Sequence, residues 1–549
     1  MNYISGRIKL SAFSALCAIS AAGYAQTDVY EQWRESWMKT YEETMPELKV
    51  EIKKPVAAVK GVKDDAAFQG WRMEKAMSIE EFYNAPFNGN SGIVIDFGEH
   101  MTGGFTFNLR QGWKTPDAPI KLKFTFGEVP SEVCTPFDPF PGGSLARAWL
   151  QDETVTVSTV GEPVTIPRRV AFRYVKIELI GHSYDFHFAD MQCAATTSAS
   201  GEPARLPESA SEIVRDINRV SLNTLKECMQ TVYEDGPKRD RRLWIGDLYL
   251  EALANMYSFK NHELTKHCLY MMAALAAPDG MLYSTAFERP KAHPQYETQI
   301  ADYSLLYNVA LLDYTLASKD IETARDLWPV VQNQIKYAQR YVGDDFIYDR
   351  QRDRGLWIFF DWTPGLNTDI AIQGAMIFSL EKSAELAKLV GDNDSAAQWI
   401  ELAAKMREAA RQKYYDEKEG VFFAGPEKQL SHISQIWMIL SDVVTPKEGA
   451  KALKKVLADK NAVYPGTPYA NHYLVEAMIK CGMNKEAKKF LVDYWGGMVK
   501  KGADTFWEVY DPNDDFRSPY NFFPINSYCH AWSCTPVYFI NKYPEIFQK

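Results

Sequence analysis

The chain has 549 residues, of which 46% are hydrophobic and 24% charged, and its formal net charge is -10. A chain of this length exceeds one ordinary hydrophobic core, so two domains are expected. The composition excludes a disordered protein, and the unclustered acidic charge argues against nucleic acid and anionic membrane surfaces as partners.

The first residues have the pattern of an export signal. Arg7 and Lys9 precede a small and apolar run from residue 10 to residue 22, and Ala25 supplies a small residue for cleavage. The run is too short for a permanent membrane anchor. We therefore predict cleavage after Ala25 and an exported protein, periplasmic or secreted, without stable membrane insertion. A lipid anchor at Cys17 is the weaker expectation, because the residue before it is leucine rather than a small one.

The cysteines do not form a recognisable framework. Of eight cysteines, one lies in the predicted signal, and none of the others is spaced as Cys-x-x-Cys. The odd number that remains favours buried free thiols over disulfides or a zinc site.

The segment after the signal divides into two parts. Residues 26–90 are mixed, with a polar helical start, and are expected to form an N-terminal segment. From residue 91 to residue 200 the apolar residues alternate with a period of two, and Gly, Pro and Asp turns separate the runs. This pattern predicts an antiparallel β-sandwich.

Beyond a Ser- and Thr-rich linker at residues 196–203 the strand pattern disappears. Residues 207–549 contain about twelve amphipathic helices with short connections, for example 302–318, 368–390 and 468–481. Their number and the lack of a sequence repeat favour an (α/α)6 toroid of six helical hairpins. An open helical solenoid is the alternative, although solenoids usually show a repeat.

The densest polar cluster lies between two predicted helices, at residues 234–247. A solvated turn would explain its charges, but Gly236-Pro237 and the apolar neighbours of Trp244 indicate a fixed backbone that presents specific side chains. If Arg239 and Arg241 pointed at Asp240, they would lower its pKa, which disfavours proton donation at neutral pH. The alternative is that these arginines pair with the carboxylates at the two ends of the loop.

Three further clusters combine a polar residue with aromatic ones. Glu508 follows Trp507 in a run of aromatic residues, His530 lies just before Trp532, and Asp361-Trp362 lies in a predicted loop. Each has an ordinary structural explanation, such as covering a helix end or filling the core. Each would also suit a carbohydrate site, because sugar C–H faces stack on aromatic rings.

Taken in order, these clusters resemble the α-L-rhamnosidases of glycoside hydrolase family 78 and their six-hairpin relatives. That family carries a loop of the type Asp-Cys-Pro-x-Arg-(Asp/Glu)-Glu-Arg-Leu-Gly-Trp-x-Gly-Asp. The loop from Asp235 to Asp247 matches it at both terminal carboxylates and at the Pro, Arg, Leu, Trp and Gly positions. Residues 95–98 and 172–175 also resemble the β-domain that precedes the family's barrel.

The resemblance implies roles for individual residues. Asp240 takes the position of the general acid, where the family usually has Glu, and Glu508 takes the position of the base that activates water. The implied substrate-binding residues are Asp235, Arg239, Trp244, Asp247, Asp361, Trp362, Trp507 and His530.

The function implied is inverting hydrolysis that releases terminal α-L-rhamnose from oligosaccharides or polysaccharides, with no metal or organic cofactor. Three alternatives stay open at this stage. The first is a sugar-binding protein without catalysis, and the second a six-hairpin hydrolase or lyase for another sugar such as a uronide. An arginine of the loop would neutralise a uronide's carboxylate. The third is a helical scaffold protein.

Overall fold

The computed structural model describes residues 28–114, 117–182 and 184–549. The predicted export signal and Cys17 lie outside the described residues. None of the described helices is long and apolar enough to cross a membrane. The seven cysteines within the described residues are free thiols, five of them buried.

Helix α1 (Glu31–Glu43) begins the described chain and packs on the helical part of the molecule. Trp37 and Tyr41 are its buried residues, and the Tyr41 ring stacks on His267 with 4.4 Å between ring centroids. The hydroxyl of Tyr30 donates a hydrogen bond to the carbonyl of Gly280 at 2.8 Å. The first described part of the chain thus contributes Tyr30, Trp37 and Tyr41 to the core of the helical domain.

The N-terminal domain is an antiparallel sheet. Among the described residues its strands are β1 (Lys49–Lys53), β2 (Ala57–Lys63), β3 (Trp71–Ser78), β4 (Ile93–Gln111), β5 (Ile120–Gly127), β6 (Asp152–Val157), β7 (Pro163–Thr165), β8 (Val170–Gly181) and β9 (Phe186–Thr197). Their order is β1-β9-β4-β8-β5-β6, with β2 and β7 also paired to β4 and β3 paired to β2. Two short helices, α2 (Ile79–Asn84) and α3 (Pro130–Cys134), connect strands.

The long strand β4 joins the two layers of the sandwich. Its first half pairs with β2 and β8, its second half pairs with β9 and β7, and the register with β8 shifts between Asp96 and Met101. Alternate residues such as Phe105, Phe107 and Phe124 fill one aromatic core, as a period of two requires. Strands β1 to β3 precede residue 91, so the sheet takes in part of the segment assigned to residues 26–90.

The C-terminal domain, residues 207–549, is helical throughout its core. Its helices are α4 (Glu212–Cys228), α5 (Ile245–Met256), α6 (His262–Ala274), α7 (Ala301–Ser318), α8 (Ile321–Asp326), α9 (Trp328–Gln339), α10 (Asp369–Val390), α11 (Asn393–Tyr414), α12 (His432–Leu440), α13 (Pro446–Ala458), α14 (Pro468–Lys480), α15 (Asn484–Lys500), α16 (Pro536–Lys542) and α17 (Pro544–Phe547). Short strands in its loops are β10 (Leu243–Trp244), β11 (Thr285–Phe287), β12 (His293–Pro294), β13 (Tyr415–Asp416) and β14 (Val421–Phe422).

Burial separates the helices into an inner and an outer ring. Every residue of α5 and of α12 is buried, so these helices are enclosed on all sides. The outer helix α11 buries only one stripe, which includes Trp399, Ala403 and Met406. Contacts run from α5 to α7, α10, α12 and α14, and α16 closes the ring against α5. The predicted fold class, an N-terminal antiparallel β-sandwich followed by an (α/α)6 toroid, is confirmed, and the open solenoid is excluded.

Candidate active site

A narrow pocket opens at one end of the toroid, where the inner helices begin. It is formed by the first turns of α5 and α7, by the loop before α10 and by the two segments that precede α16. The residues that line it are Asp235, Arg239, Asp240, Trp244, Asp247, Ile300, Tyr303, Trp357, Phe359, Trp362, Glu508, Tyr520, His530 and Trp532. Eight of the ten residues that the sequence predicted for the site therefore line one pocket.

The loop between α4 and α5 and the first turn of α5 each fit their surroundings closely at one glycine. A Cβ atom at Gly236 would lie 2.6 Å from the hydroxyl of Ser527, and one at Gly246 would lie 2.3 Å from the ring of Tyr303. Larger residues would push the loop away from the segment that carries His530 and from the start of α7. These glycines allow three separate parts of the chain to meet around the pocket.

The β-sandwich holds the same loop through a buried ammonium group. Lys238 Nζ lies 2.7 Å from Glu132 Oε1 and 3.2 Å from Glu128 Oε2, and all three side chains are almost fully buried. Glu128 also accepts a hydrogen bond at 2.7 Å from the backbone N–H of Tyr528. The N-terminal domain thereby fixes both the loop and the segment before His530.

Arg239 joins the two residues predicted to be catalytic. Its Nη1 lies 3.3 Å from Asp240 Oδ1, and its Nη2 donates a hydrogen bond to Glu508 Oε2. The guanidinium group also lies over the ring of Tyr520, 4.7 Å from its centroid. Residues 268 positions apart in sequence, Asp240 and Glu508, thus contact the same cation.

Glu508 is buried but surrounded by hydrogen-bond donors. Besides Arg239, it accepts bonds from the hydroxyl of Tyr520 at 2.5 Å and from the backbone N–H of Ser527 at 3.1 Å. Burial raises the pKa of this carboxyl group, but the charge of Arg239 and the hydrogen bonds outweigh it, so the pKa lies below its ordinary value. Glu508 is therefore ionised at neutral pH, as a general base must be.

Asp240 also has two cationic neighbours. Arg242 Nη2 donates a hydrogen bond to its Oδ2 at 2.9 Å, in addition to the contact with Arg239. Burial raises the pKa of Asp240, but the two guanidinium groups outweigh burial and hold it below its ordinary value. Arg241 instead donates to the carbonyl of Lys238 at 3.1 Å. Of the two arrangements considered from the sequence, the structure has the one in which two arginines contact Asp240. The second of these arginines is Arg242 and not Arg241.

The pKa values of Asp235 and Asp247 are shifted in the opposite direction. Burial and the neighbouring carboxylates raise the pKa of both groups well above the ordinary value. Asp235 accepts only backbone N–H groups, from Asp240 at 3.2 Å and from Arg242 at 3.3 Å. Within the described part of the chain, no guanidinium group bonds to either carboxyl group. Both groups therefore hold a proton at pH values at which Glu508 is ionised.

Several buried polar atoms around the pocket have no hydrogen-bond partner among the described residues. These atoms are Asp247 Oδ1, His530 Nδ1, Trp244 Nε1 and Trp362 Nε1. Burial lowers the pKa of His530 to about 4, so its ring is neutral at neutral pH. His530 Nδ1 lies 3.6 Å from Asp247 Oδ1, beyond hydrogen-bond distance, and its ring stacks on Trp532. Unsatisfied buried polar atoms are costly, so their concentration here indicates a polar ligand.

The structure does not bring Asp361 and Trp507 to the pocket. Asp361 accepts hydrogen bonds from the backbone N–H of Gly466 at 2.7 Å and from the hydroxyl of Thr467 at 2.5 Å, which ties its loop to the start of α14. The Trp507 ring is buried and stacks on Phe68 of the N-terminal domain, with 4.0 Å between centroids. Both residues lie next to a pocket residue, and their own side chains support the walls.

Most of the pocket residues that the sequence did not indicate are aromatic. Trp357 and Phe359 precede Asp361 at alternate positions, Trp532 follows His530 by two residues, and Tyr520 lies between two predicted elements. The positions of Trp357, Phe359 and Trp532 were a signal that could have been used, because each lies two or four residues from a residue already singled out. Tyr520 carried none, since only the folded chain brings its hydroxyl to Glu508.

Two family models match the chain. The model described as the glycosyl hydrolase family 78 alpha-rhamnosidase N-terminal domain matches residues 55–195. The model described as the bacterial alpha-L-rhamnosidase 6 hairpin glycosidase domain matches residues 207–543. A comparison with curated proteins gives no match.

Solved structures of rhamnosidases are similar to the chain. A rhamnosidase from Klebsiella oxytoca with rhamnose bound is 37% identical, covers 93% of this chain and 99% of its own, and has a TM-score of 0.89. A family 78 rhamnosidase of Bacillus sp. GL1 is 20% identical, over 82% of this chain and 46% of its own, with a TM-score of 0.70. The α-L-rhamnosidase of Streptomyces avermitilis complexed with L-rhamnose is 17% identical, over 90% and 44%, with a TM-score of 0.64. The second and third similarities show a shared fold alone.

Proposed function

The chain belongs to the α-L-rhamnosidases of glycoside hydrolase family 78, and we propose that it releases terminal α-L-rhamnose with inversion at the anomeric carbon. The observation that carries the proposal is the pair of carboxylates, Asp240 and Glu508, held by one arginine in a pocket with unsatisfied polar atoms. The bound rhamnose of the Klebsiella oxytoca relative supports rhamnose as the sugar.

Glu508 is proposed to act as the general base. Its oxygens are fixed by Arg239, Tyr520 and Ser527, and its lowered pKa keeps it ionised. It would remove a proton from a water molecule as that water attacks the anomeric carbon. An inverting pair leaves about 6.5–9.5 Å between the carboxyl groups to admit this water.

Asp240 is proposed to act as the general acid that protonates the glycosidic oxygen. Its side chain is one methylene shorter than the glutamate usual in the family, and its pKa is lowered by Arg239 and Arg242. A carboxyl group with a lowered pKa is protonated only at correspondingly low pH. Activity should therefore fall as the pH rises through the pKa of Asp240, which places the optimum at acidic pH.

Asp247, His530, Trp244 and Trp362 are proposed to bind the sugar hydroxyl groups. Among their unpartnered atoms, the two indole N–H groups are donors, and the nitrogen of the neutral imidazole is a donor or an acceptor. A sugar ring that reaches them would satisfy these atoms together, while the face of Trp532 packs against its C–H groups. Asp235 orders the backbone at Asp240 and Arg242.

The contacts of the arginines favour a neutral sugar over a uronide. Arg239 bonds to Glu508 and Asp240, Arg242 bonds to Asp240, and Arg241 does not line the pocket. Within the described residues, the pocket offers no uncommitted cation for a sugar carboxylate. A uronide would have to compete with the carboxylates that these arginines already contact.

The test is hydrolysis of p-nitrophenyl α-L-rhamnoside by the protein without residues 1–25, followed by NMR of the first product formed. We expect release of β-L-rhamnose, the inverted anomer, by the wild type and a release about 10²–10⁴-fold slower by Glu508→Gln. Release of the α-anomer would contradict inversion. Measurable binding of rhamnose without any hydrolysis would support the non-catalytic alternative instead.

Export is a separate part of the proposal. It is supported by the basic and apolar pattern of the first 25 residues, which lie outside the described part of the chain. We expect the mature protein to begin at Gln26, in the periplasm or secreted, with no lipid on Cys17. Mass spectrometry of the protein recovered from cell fractions tests this, and an intact N-terminus in the cytoplasm would contradict it.

A further inference from the structure

A second cavity opens at the other end of the toroid. Its volume is about 760 Å³, within the range of roughly 300–1,000 Å³ that is usual for small-molecule sites. All of the inner helices contribute to it, chiefly through their later turns, whereas the candidate active site lies at their first turns. Asp247 at the first site and Met256 at the second are about 14 Å apart along α5, at about 1.5 Å per residue.

Buried tyrosines separate the two openings. Tyr303 lines the candidate active site, Tyr473 lines the second cavity, and Tyr469 lies between them. The ring centroids are 6.2 Å apart for the first pair and 5.3 Å for the second, and Tyr469 is fully buried. A ligand in the second cavity therefore does not reach the proposed catalytic residues.

Two carboxyl groups of this cavity, Asp313 and Glu476, form no ion pair with a described residue, although the charges of Lys382 and Lys542 act on both. Asp313 makes no hydrogen bond or ion pair with the described residues, and Glu476 accepts a hydrogen bond from the neutral hydroxyl of Tyr538. Burial raises the pKa of Asp313 to about 6, and burial also raises the pKa of Glu476. At mildly acidic pH Asp313 carries a proton for part of the time and is then able to donate as well as accept hydrogen bonds.

An imidazole in the wall is also left without a partner. His472 is only 1% exposed, and its Nδ1 finds no hydrogen-bond partner in the described chain. Burial lowers the pKa of His472 to about 3, which makes the ring a neutral donor and acceptor. Such a group in the wall of a large cavity is explained by a ligand that bears hydroxyl groups.

The cavity is lined by four lysines and five carboxyl groups, so its charges nearly balance, and Lys542 Nζ donates a hydrogen bond to the Tyr538 hydroxyl at 2.5 Å. Lys480 Nζ lies 2.8 Å from Asp442, and Lys382 Nζ lies 3.5 Å from Glu385. The remaining wall includes the aromatic rings of Tyr257 and other residues. A neutral polar ligand fits this wall better than an anion or a polycation, because it adds no unbalanced charge to a partly buried space.

We propose that the second cavity binds a neutral oligosaccharide, with hydroxyl groups bonded to Asp313, Glu476 and His472 and sugar faces packed on the tyrosine rings. The site is distinct from the hydrolytic pocket and would hold part of a polysaccharide or a released product. The proposal goes beyond rhamnose hydrolysis and does not depend on it.

The experiment uses the mature chain carrying Glu508→Gln, so that no bound glycoside is cleaved. An array of neutral oligosaccharides of plant and bacterial polysaccharides identifies the best ligand, and calorimetry measures its affinity. Ala317 is exposed at the mouth of the cavity, so Ala317→Trp should obstruct entry without disturbing the core. We expect Ala317→Trp and Asp313→Asn each to weaken binding at least tenfold.

The matched control is Ile400→Trp, because Ile400 is 45% exposed on the outer helix α11 and away from the cavity. It should leave binding unchanged, and Ala317→Trp in the otherwise wild-type chain should leave hydrolysis of the aryl rhamnoside unchanged. The proposal is overturned if no neutral oligosaccharide on the array binds. It is also overturned if binding survives both Ala317→Trp and Asp313→Asn, or if spermidine binds this cavity and the sugars do not.

Discussion

The arginine-bound carboxylates Asp240 and Glu508 and the arginine-free carboxyl groups of Asp235 and Asp247 share one pocket and similar burial, yet their pKa values move in opposite directions. Guanidinium contacts hold the first two below their ordinary pKa, whereas burial and neighbouring carboxylates raise the other two. The difference shows that burial alone does not decide which carboxyl group holds a proton.

These opposite pKa shifts indicate different roles for the two pairs of carboxyl groups. Ionised carboxylates near the reacting bond, a protonated Asp247 that holds a sugar hydroxyl, and an Asp235 bound to the loop backbone would suit a neutral sugar substrate. Asp240 is the exception, because a general acid needs a proton that its arginines disfavour.

Glu508→Gln removes the proposed base and should lower kcat by about 10²–10⁴-fold on both aryl rhamnosides and rhamnosyl disaccharides. The loss should not depend on the leaving group, since activation of water is needed in each case. Steady-state kinetics measures it, with thermal unfolding as a check on folding. Glu322→Gln, whose side chain is 81% exposed, is the matched control and should keep full activity.

Asp240→Asn should separate the two substrate classes. On a disaccharide, whose leaving group needs a proton, we expect a loss of about 10²–10⁴-fold in kcat. On p-nitrophenyl α-L-rhamnoside the loss should be far smaller, because nitrophenolate departs without protonation. An equal loss on both substrates would remove Asp240 from the role of general acid.

Lys238→Met tests the effect of a cation on buried carboxyl groups outside the pocket, because it removes the ammonium group from Glu132 and leaves Glu128 with His100. Breaking a buried ion pair costs about 3–5 kcal/mol, so the free energy of unfolding should fall by about that amount in urea titrations. Lys489→Met is the control, since its side chain is 76% exposed. A change in Lys238→Met no larger than the control would show that this contact does not hold the loop.

Arg242→Gln should move the alkaline limb of the pH–rate profile to higher pH. Arg242 lowers the pKa of Asp240, so its removal raises that pKa and keeps the acid protonated at higher pH. Arg241→Gln is the neighbouring control, because Arg241 contacts the carbonyl of Lys238 and not Asp240. A shift of the limb in the opposite direction would contradict the assignment of the acid.

Infrared difference spectroscopy, at a pH between the lowered pKa of Asp240 and the raised pKa of Asp247, tests the protonation states themselves. Asp247→Asn should remove a carbonyl band of a protonated carboxyl group, whereas Asp240→Asn should remove a carboxylate band. This is the smallest signal of the series, but it measures the comparison directly. A carboxylate band lost from both variants would show that Asp247 is ionised despite its burial.

The two domains and their fold classes are predictable from the sequence. Alternation with a period of two in residues such as Phe105 and Phe107, and helical periodicity after the linker, are local patterns that burial on one face imposes. The loop from Asp235 to Asp247 and the Trp507-Glu508 pair were likewise recognisable, because the residues that identify each motif are close together in the sequence.

The hydrogen-bond partners of those residues are known only from the tertiary structure. Nothing in the sequence shows that Arg239 bridges Asp240 and Glu508, that Arg242 rather than Arg241 contacts the acid, or that Tyr520 reaches the base. The side chain of Asp361 also turned away from the pocket to hold α14. Hydrogen-bond partners and pKa values depend on distances between residues far apart in the chain, and only the closed toroid fixes those distances.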